Sequence, residues 1–438
     1  MLNFANVIER QITFAAHGHL LTNANVWSPD GKWLVYDVRS GDGSVFDGNR
    51  IEIVNVESGE IKTVYESKNG AFCGVPTFHP HKNRVVFILG PENPTDDWQY
   101  GPAHRQGVWV DIEQPQIAHN FDARDLTSPL TAGALRGGSH VHIWSADGEW
   151  VSFTYNDALL EQFKEQTAEQ DIDLRNIGVS VPSPVTVSKD HPRNHDGDHF
   201  SVLVTRTTAN PKPASDEISR ALEEGWVGDN GYLRADGTRQ KRAVAFLGEV
   251  RISERQSFWE VFIADLPDDL KRAGNEPLEG TLTKRPAPPL GVVQRRLTRT
   301  ENDKFVGVQV PRHWLKSSPD GSQIAFMRLD ANKNAQIWTV SPLGGEPRQI
   351  THDSWGVASA FSWSRDGQFL SYIADNSVFI VEAKTGESTR LTTTSSDEMA
   401  PLSFSCVFSP DGKRIAYMRP VLGENGKRWN QIFVVSRQ

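Results

Sequence analysis

The chain has 438 residues, a net charge of −9 and no block of Lys or Arg set apart from the rest, which excludes the electrostatic footprint of a phosphate-backbone binder. Thirteen Trp and 21 Phe beside 35 Gly, 25 Pro and only 4 Met suit short strands joined by many turns, an all-β composition. Two cysteines, Cys73 and Cys406, exclude a disulfide framework, while Glu9 and Arg10 interrupt the opening segment where a signal peptide needs an apolar run; a cytoplasmic location without membrane insertion is the expectation.

In chain order, RQIT (Arg10 to Thr13) comes first, followed by the phrase WSPDGKWLVY from Trp27. That phrase recurs as a weak copy, FHPHKNRVVF, from Phe78, then as WSADGEWVSF from Trp144, SSPDGSQIAF from Ser317, WSRDGQFLSY from Trp363 and FSPDGKRIAY from Phe408. An Asp-Gly turn between two runs of alternating apolar residues predicts a β-hairpin. A second phrase closes several units: RDLT at Arg124, RRLT at Arg295, RQIT at Arg348 and TRLT at Thr389. Each unit reads as four strands, a to d, which is one blade of a β-propeller.

Inner strands are expected to begin near Asn23, Gly74, Ser139, His199, Arg312, Ala358 and Ser403, giving seven blades rather than six or eight, and one domain over residues 1–438. The fourth blade is degenerate, with His199–Arg206 as strand a, Ala243–Val250 as b and Phe258–Asp265 as c. It carries two expected insertions, 207–241 with a short helix capped at Ser215, and 266–293 between strands c and d. Both would be surface decorations available to a partner. The last unit ends at Gln431 to Val435 without an outer strand, so the N-terminal RQIT segment is expected to supply it and close the ring.

These repeats resemble the TolB-like propeller repeat over most of the chain. The segments LRGGSHVHIWSADGEWVSFTYND and VPRHW resemble an enterobacterial TolB-like family of unassigned function. A more distant likeness is to oligogalacturonate lyase and rests on His140, His142 and His313 preceding their Asp-Gly turns. It implies histidines that hold a divalent metal, Mn or Ca, and abstract a proton. The sixth inner strand departs from that pattern, starting Val357-Ala358-Ser359-Ala360 where a ligand set would carry histidine.

Residues six to eight before each turn Asp are expected to gather at the channel mouth opposite the turns. Asn23, His140 and His313 lie seven before, and Asn25 and His142 five before, one step deeper on the same strand face by period-two alternation. Arg312 and Arg136 are close in sequence. The long connections bring His104, Asn156 and Asp157 to the same end. The catalytic candidates are His140 or His142 as base and Arg312 or Arg136 as carboxylate clamp; Asn23, Asn25, His104, Asn156 and Asp157 are candidate substrate contacts, and His140, His142 and His313 candidate metal ligands. Each could equally be a structural group lining a wet channel. No nucleophile elbow, phosphate loop or dinucleotide fingerprint occurs. Two functions follow: a saccharide-active enzyme, in particular a metal-assisted lyase for uronate oligosaccharides, or a non-catalytic module that holds a protein partner.

Overall fold

The Ser-x-Asp-Gly phrase builds the same turn wherever it occurs. In the first copy Ser28 Oγ donates to Asp30 Oδ1 (2.7 Å) and accepts the Trp33 N–H (2.9 Å), while Asp30 Oδ1 accepts the Lys32 N–H (3.0 Å). Gly31 takes φ +69°, which a side chain would resist. The Ser-to-Asp bond repeats at Asp147, Asp320, Asp366 and Asp411 with lengths of 2.5–2.6 Å. Serine serves as donor and acceptor at once, so Ser409→Ala should cost about 1–2 kcal/mol. A lower urea midpoint with an unchanged m-value would show it.

The structure, a computed structural model, describes residues 7–40, 45–253, 256–308, 310–424 and 426–437. Seven four-stranded antiparallel sheets follow one another as blades. Blade 1 is Gly18–Leu20, Trp33–Arg39, Arg50–Asn55 and Ile61–Glu66. Blade 2 is Cys73–Phe78, Arg84–Leu89, Gln106–Asp111 and His119–Asn120. Blade 3 is Gly137–Trp144, Val151–Asp157, Asn176–Val185 and Gly197–Leu203. Blade 4 is Ile218–Trp226, Ala243–Ser253, Gln256–Asp265 and Val293–Arg296. Blade 5 is Lys316–Ser317, Ile324–Leu329, Ala335–Val340 and Arg348–Gln349, and blade 6 is Ser362–Trp363, Phe369–Ala374, Ser377–Glu382 and Ser388–Arg390. Blade 7 takes Cys406–Phe408, Arg414–Leu422 and Arg428–Arg437 from the end of the chain and its outer strand, Val7–Gln11, from the start. Val7 pairs with Arg437 and Gln11 with Phe433, so the ring closes as the sequence predicts. No described helix is long and apolar enough to cross a membrane.

The core lies between neighbouring blades. Ile177, Val179 and Val202 of blade 3, for instance, pack with Ile218, Phe246 and Phe262 of blade 4. On the channel axis Ala24, Val141 and Ile143 are buried, and Val75, Trp226 and Trp314 pack against them, forming an apolar waist.

The fourth blade corrects two expectations. Residues from His199 belong to Gly197–Leu203, the outer strand of blade 3, and the inner strand of blade 4 is Ile218–Trp226, inside the segment read as a helix. Both errors have one physical origin. Ile218–Trp226 is interrupted by register shifts between Ile218 and Ala221 and between Leu222 and Gly225. Each extra residue converts the period of two into spacings of three and one, which imitate a helical stripe. The degenerate phrase Trp226-Val227-Gly228-Asp229 stands where WSAD stands in blade 3 and marks the true strand end. The connection from strand c to strand d of blade 4 runs from Leu266 to Val292.

Candidate functional site

Three consecutive inner strands reach the upper mouth with the same irregularity. Val75, Val141 and Glu223 have φ of +57°, +55° and +60°, each at a break in register against the neighbouring strand. A β-branched residue in this region costs on the order of 1–3 kcal/mol, so the fold holds these backbones against their preference at one place. The bulge at Val141 also breaks the alternation on which a shared face for His140 and His142 depended.

His140 stands at the mouth with Nδ1 buried and without a hydrogen-bond partner among the described residues. Burial, and then the positive charges of Arg105, Arg312 and Arg175, drive its pKa well below the ordinary imidazole value. It is a neutral imidazole with an unused ring nitrogen at neutral pH. The three arginines come from three blades. Arg105 ends the connection entering strand Gln106–Asp111, is buried, and places Nη1 3.4 Å from Tyr100 Oη. Arg175 immediately precedes Asn176–Val185 and donates through Nε to Asn156 Oδ1 (3.2 Å), an amide itself fixed by its own bond to Asp173 (2.7 Å). Arg312 donates through Nε to Glu223 Oε1 (2.7 Å), lies 4.9 Å from the Trp314 ring and leaves 58% of its side chain exposed. The buried Glu223 Oε2 has no partner among the described residues.

Other candidates are elsewhere or already engaged. His142 Nε2 meets Ser139 Oγ at 3.0 Å, and that hydroxyl donates to Asp122 Oδ2 at 2.8 Å. Its ring is buried beside Phe121 and Phe153, and burial, with Arg105, pushes its pKa down to about 3. His313 is buried with Nδ1 donating to the Pro311 carbonyl (3.0 Å) and Nε2 accepting the Met327 N–H (3.0 Å). Asn23 ties blade 1 to Phe361 O (2.9 Å) and Cys406 N (3.2 Å), and Asn25 lines the opposite end of the channel. His104 stacks on Trp98 at 3.9 Å, bonds Gln99 O (2.8 Å) and reaches Glu161 (3.2 Å).

Arg136 is no carboxylate clamp at the mouth. Its buried guanidinium donates to Asp157 Oδ2 (2.7 Å) and to the carbonyls of Glu279 and Thr281, stapling the long blade 4 connection to blade 3. Asp157 is spent on that pair and on the Leu160 N–H (3.0 Å). Arg136→Met strands a buried carboxylate, and a loss of about 3–5 kcal/mol is expected in urea unfolding.

Sequence reasoning missed Arg105, Arg175 and Glu223. Arg105 closes a loop already assigned to the mouth, and Glu223 sits at the blade 4 position equivalent to Val141 once WVGD is aligned with WSAD. Arg175 carries no repeat signal.

Compared with known proteins, the chain is 46% identical over 425 residues to the uncharacterised protein YidR of Escherichia coli (strain K12), covering 96% of both. The chain belongs to the YidR family. Residues 72–195, which include His140, Arg105 and Arg175, match a model described as a protein of unknown function, DUF3748, and residues 345–420 match the dipeptidyl peptidase IV N-terminal region. Among solved structures, an oligogalacturonate lyase in complex with manganese aligns at TM-score 0.54 and 11% identity over 98% of this chain and 93% of that one. An oligogalacturonate lyase from Vibrio parahaemolyticus aligns at 0.53 and 10% over 98% and 96%. The YidR fold is therefore that of these propellers. The manganese of the first does not fit this chain's donor set: His313 has both nitrogens occupied, the His142 ring is buried beside Phe121 and Phe153 with Nε2 on Ser139, and no three described His, Cys, Asp or Glu side chains are grouped to hold a metal.

Proposed function

We propose that the protein is a saccharide-active enzyme, a β-eliminating lyase for uronate-containing oligosaccharides that works at the upper mouth of the channel. The observation that carries this reading is a neutral imidazole at the mouth, His140, under the field of Arg105, Arg175 and Arg312. A uronate needs both functions together. Guanidinium groups pair with its carboxylate and lower the acidity barrier of the adjacent carbon, and the imidazole takes that carbon's proton. The electron pair left behind forms the C4–C5 double bond as the C4–O bond breaks; the departing oxygen takes a proton from water, and the hydroxide so formed is neutralised by the proton that His140 took up. Local positive charge here overrides the chain's net charge of −9. The arginines supply the neutralisation that the lyase resemblance assigns to a metal.

The interaction-module reading has less behind it. Between residues 207 and 241, where a partner face was expected, Leu233 is the one exposed large hydrophobic side chain. The deciding test is incubation with oligogalacturonates while following the ultraviolet absorbance of the conjugated unsaturated product. Product is expected with chelator present. Inertness toward every uronate oligosaccharide tried would replace the lyase with the interaction module.

A further inference from the structure

A cavity of about 410 Å³ opens at the Asp-Gly-turn end of the channel, separated from the His140 mouth by the apolar waist of Ala24, Val141 and Ile143. Its size falls in the range of small-molecule sites. Trp27, Trp226 and Trp363 line it, and their indoles are fixed by one repeated device. Each Nε1 donates to a main-chain carbonyl of the preceding blade: Trp27 to Val407 (3.2 Å), Trp226 to Ile143 (2.8 Å) and Trp363 to Lys316 (3.0 Å). The rings are therefore held as a rigid apolar wall, organised before any ligand arrives.

One cation is set into that wall. Arg365 at the rim is paired with Asp229, but Lys316, two residues beyond the waist residue Trp314, has no hydrogen bond or ion pair with any described residue. The opposite charge that acts on it is Glu224. That carboxyl is buried, accepts the Thr154 hydroxyl (3.0 Å) and is pushed up to about 8 by burial, so near neutral pH it is mostly protonated. Burial brings Lys316 down to about 8, which still leaves it mostly an ammonium at pH 7. A half-buried ammonium without an ion pair, set in an apolar wall, is a ready partner for an anionic ligand.

We infer that this funnel is a second ligand site, in which the Lys316 ammonium pairs with the carboxylate of a small molecule whose flat apolar body lies against Trp226 and Trp363. The inference is independent of the chemistry proposed for the upper mouth.

The probe is 1-naphthoate, with 1-naphthalenemethanol as its uncharged counterpart, titrated calorimetrically and by tryptophan fluorescence. Wild type should bind one naphthoate. Lys316→Met keeps the side-chain length and the main-chain carbonyl that Trp363 uses, and should weaken naphthoate about tenfold or more while leaving the alcohol unchanged. Arg312→Ala, at the other mouth, should bind naphthoate as wild type does. No saturable binding, equal binding by Lys316→Met, or a loss in Arg312→Ala instead would each overturn the site. Should Lys316→Met fold poorly, wild type decides the matter through reductive methylation with formaldehyde and cyanoborohydride, read by peptide mass. Naphthoate is expected to protect Lys316, and equal labelling with and without it would reject the proposal.

Discussion

Replacing His140 with alanine is expected to lower turnover of an oligogalacturonate by about 10² to 10⁴, the range typical of a lost general base, with little change in melting temperature. The imidazole has an unused nitrogen, so its removal strands no hydrogen-bond partner of Nδ1. His142→Ala should behave in the opposite way. It removes a buried ring from between Phe121 and Phe153 and deprives the Ser139–Asp122 pair of its third member, so stability falls. The pH profile gives an independent sign. Because burial and the arginines depress the His140 pKa, the basic form persists as the solution is acidified, and the acid limb of the rate profile should lie below about 6.5, the ordinary imidazole value. An acid limb at or above that value, or an active His140→Ala enzyme, would remove His140 from the mechanism.

Deleting residues 1–15 should unfold more than the segment it removes. Val7–Gln11 pairs with Phe433–Arg437 along the outer edge of the last strand, Glu9 pairs with Arg419 at 2.6 Å and with the Tyr417 hydroxyl, and Arg10 reaches across to the Val56 carbonyl in blade 1. Beyond the strand, the Ile12 N–H donates to the Ile432 carbonyl (2.8 Å), Thr13 Oγ1 accepts the Ile432 N–H (2.9 Å), and Ile12 is buried. Together these exceed about 5 kcal/mol, which is comparable with the whole stability of a typical domain. The truncated chain should lose its cooperative circular-dichroism melt and bind a hydrophobic dye. A cooperative melt within about 2 °C of the full chain would mean that the closing strand contributes little.

The blade count, the Asp-Gly turns, the closing strand and the TolB-like repeat were legible because they are local: a turn chemistry and an alternation that recur at regular spacing. What failed failed for definable reasons. Bulges hid the inner strand of blade 4, since two inserted residues turn a strand period into a helical one. The bulge at Val141 separated His140 from His142, and no residue type announces a β-branched side chain at positive φ. Arg312 was placed correctly near His140, whereas Arg136 was read from sequence proximity alone, and its partners, Glu279 and Thr281, lie far away in the chain. Arg105 and Arg175 belong to connections that the repeat does not constrain. Site residues in loops are fixed by tertiary neighbours, and a periodic reading does not reach them.

Blade 7 also has a history in time. Its outer strand emerges from the ribosome long before its partner strand, because Val7 must wait for Arg437. At about 5–20 residues per second that wait is roughly 20–90 s, during which blades 1 to 6 can form in order while both rims of the nascent arc stay open. Through this interval Val7–Gln11 is a strand without a sheet and blade 1 has no neighbour on one side, the state in which edge pairing with another chain competes with closure. Raising the concentration of nascent chains should therefore favour chains that swap this strand, and a lower expression level at unchanged elongation rate should raise the monomer yield.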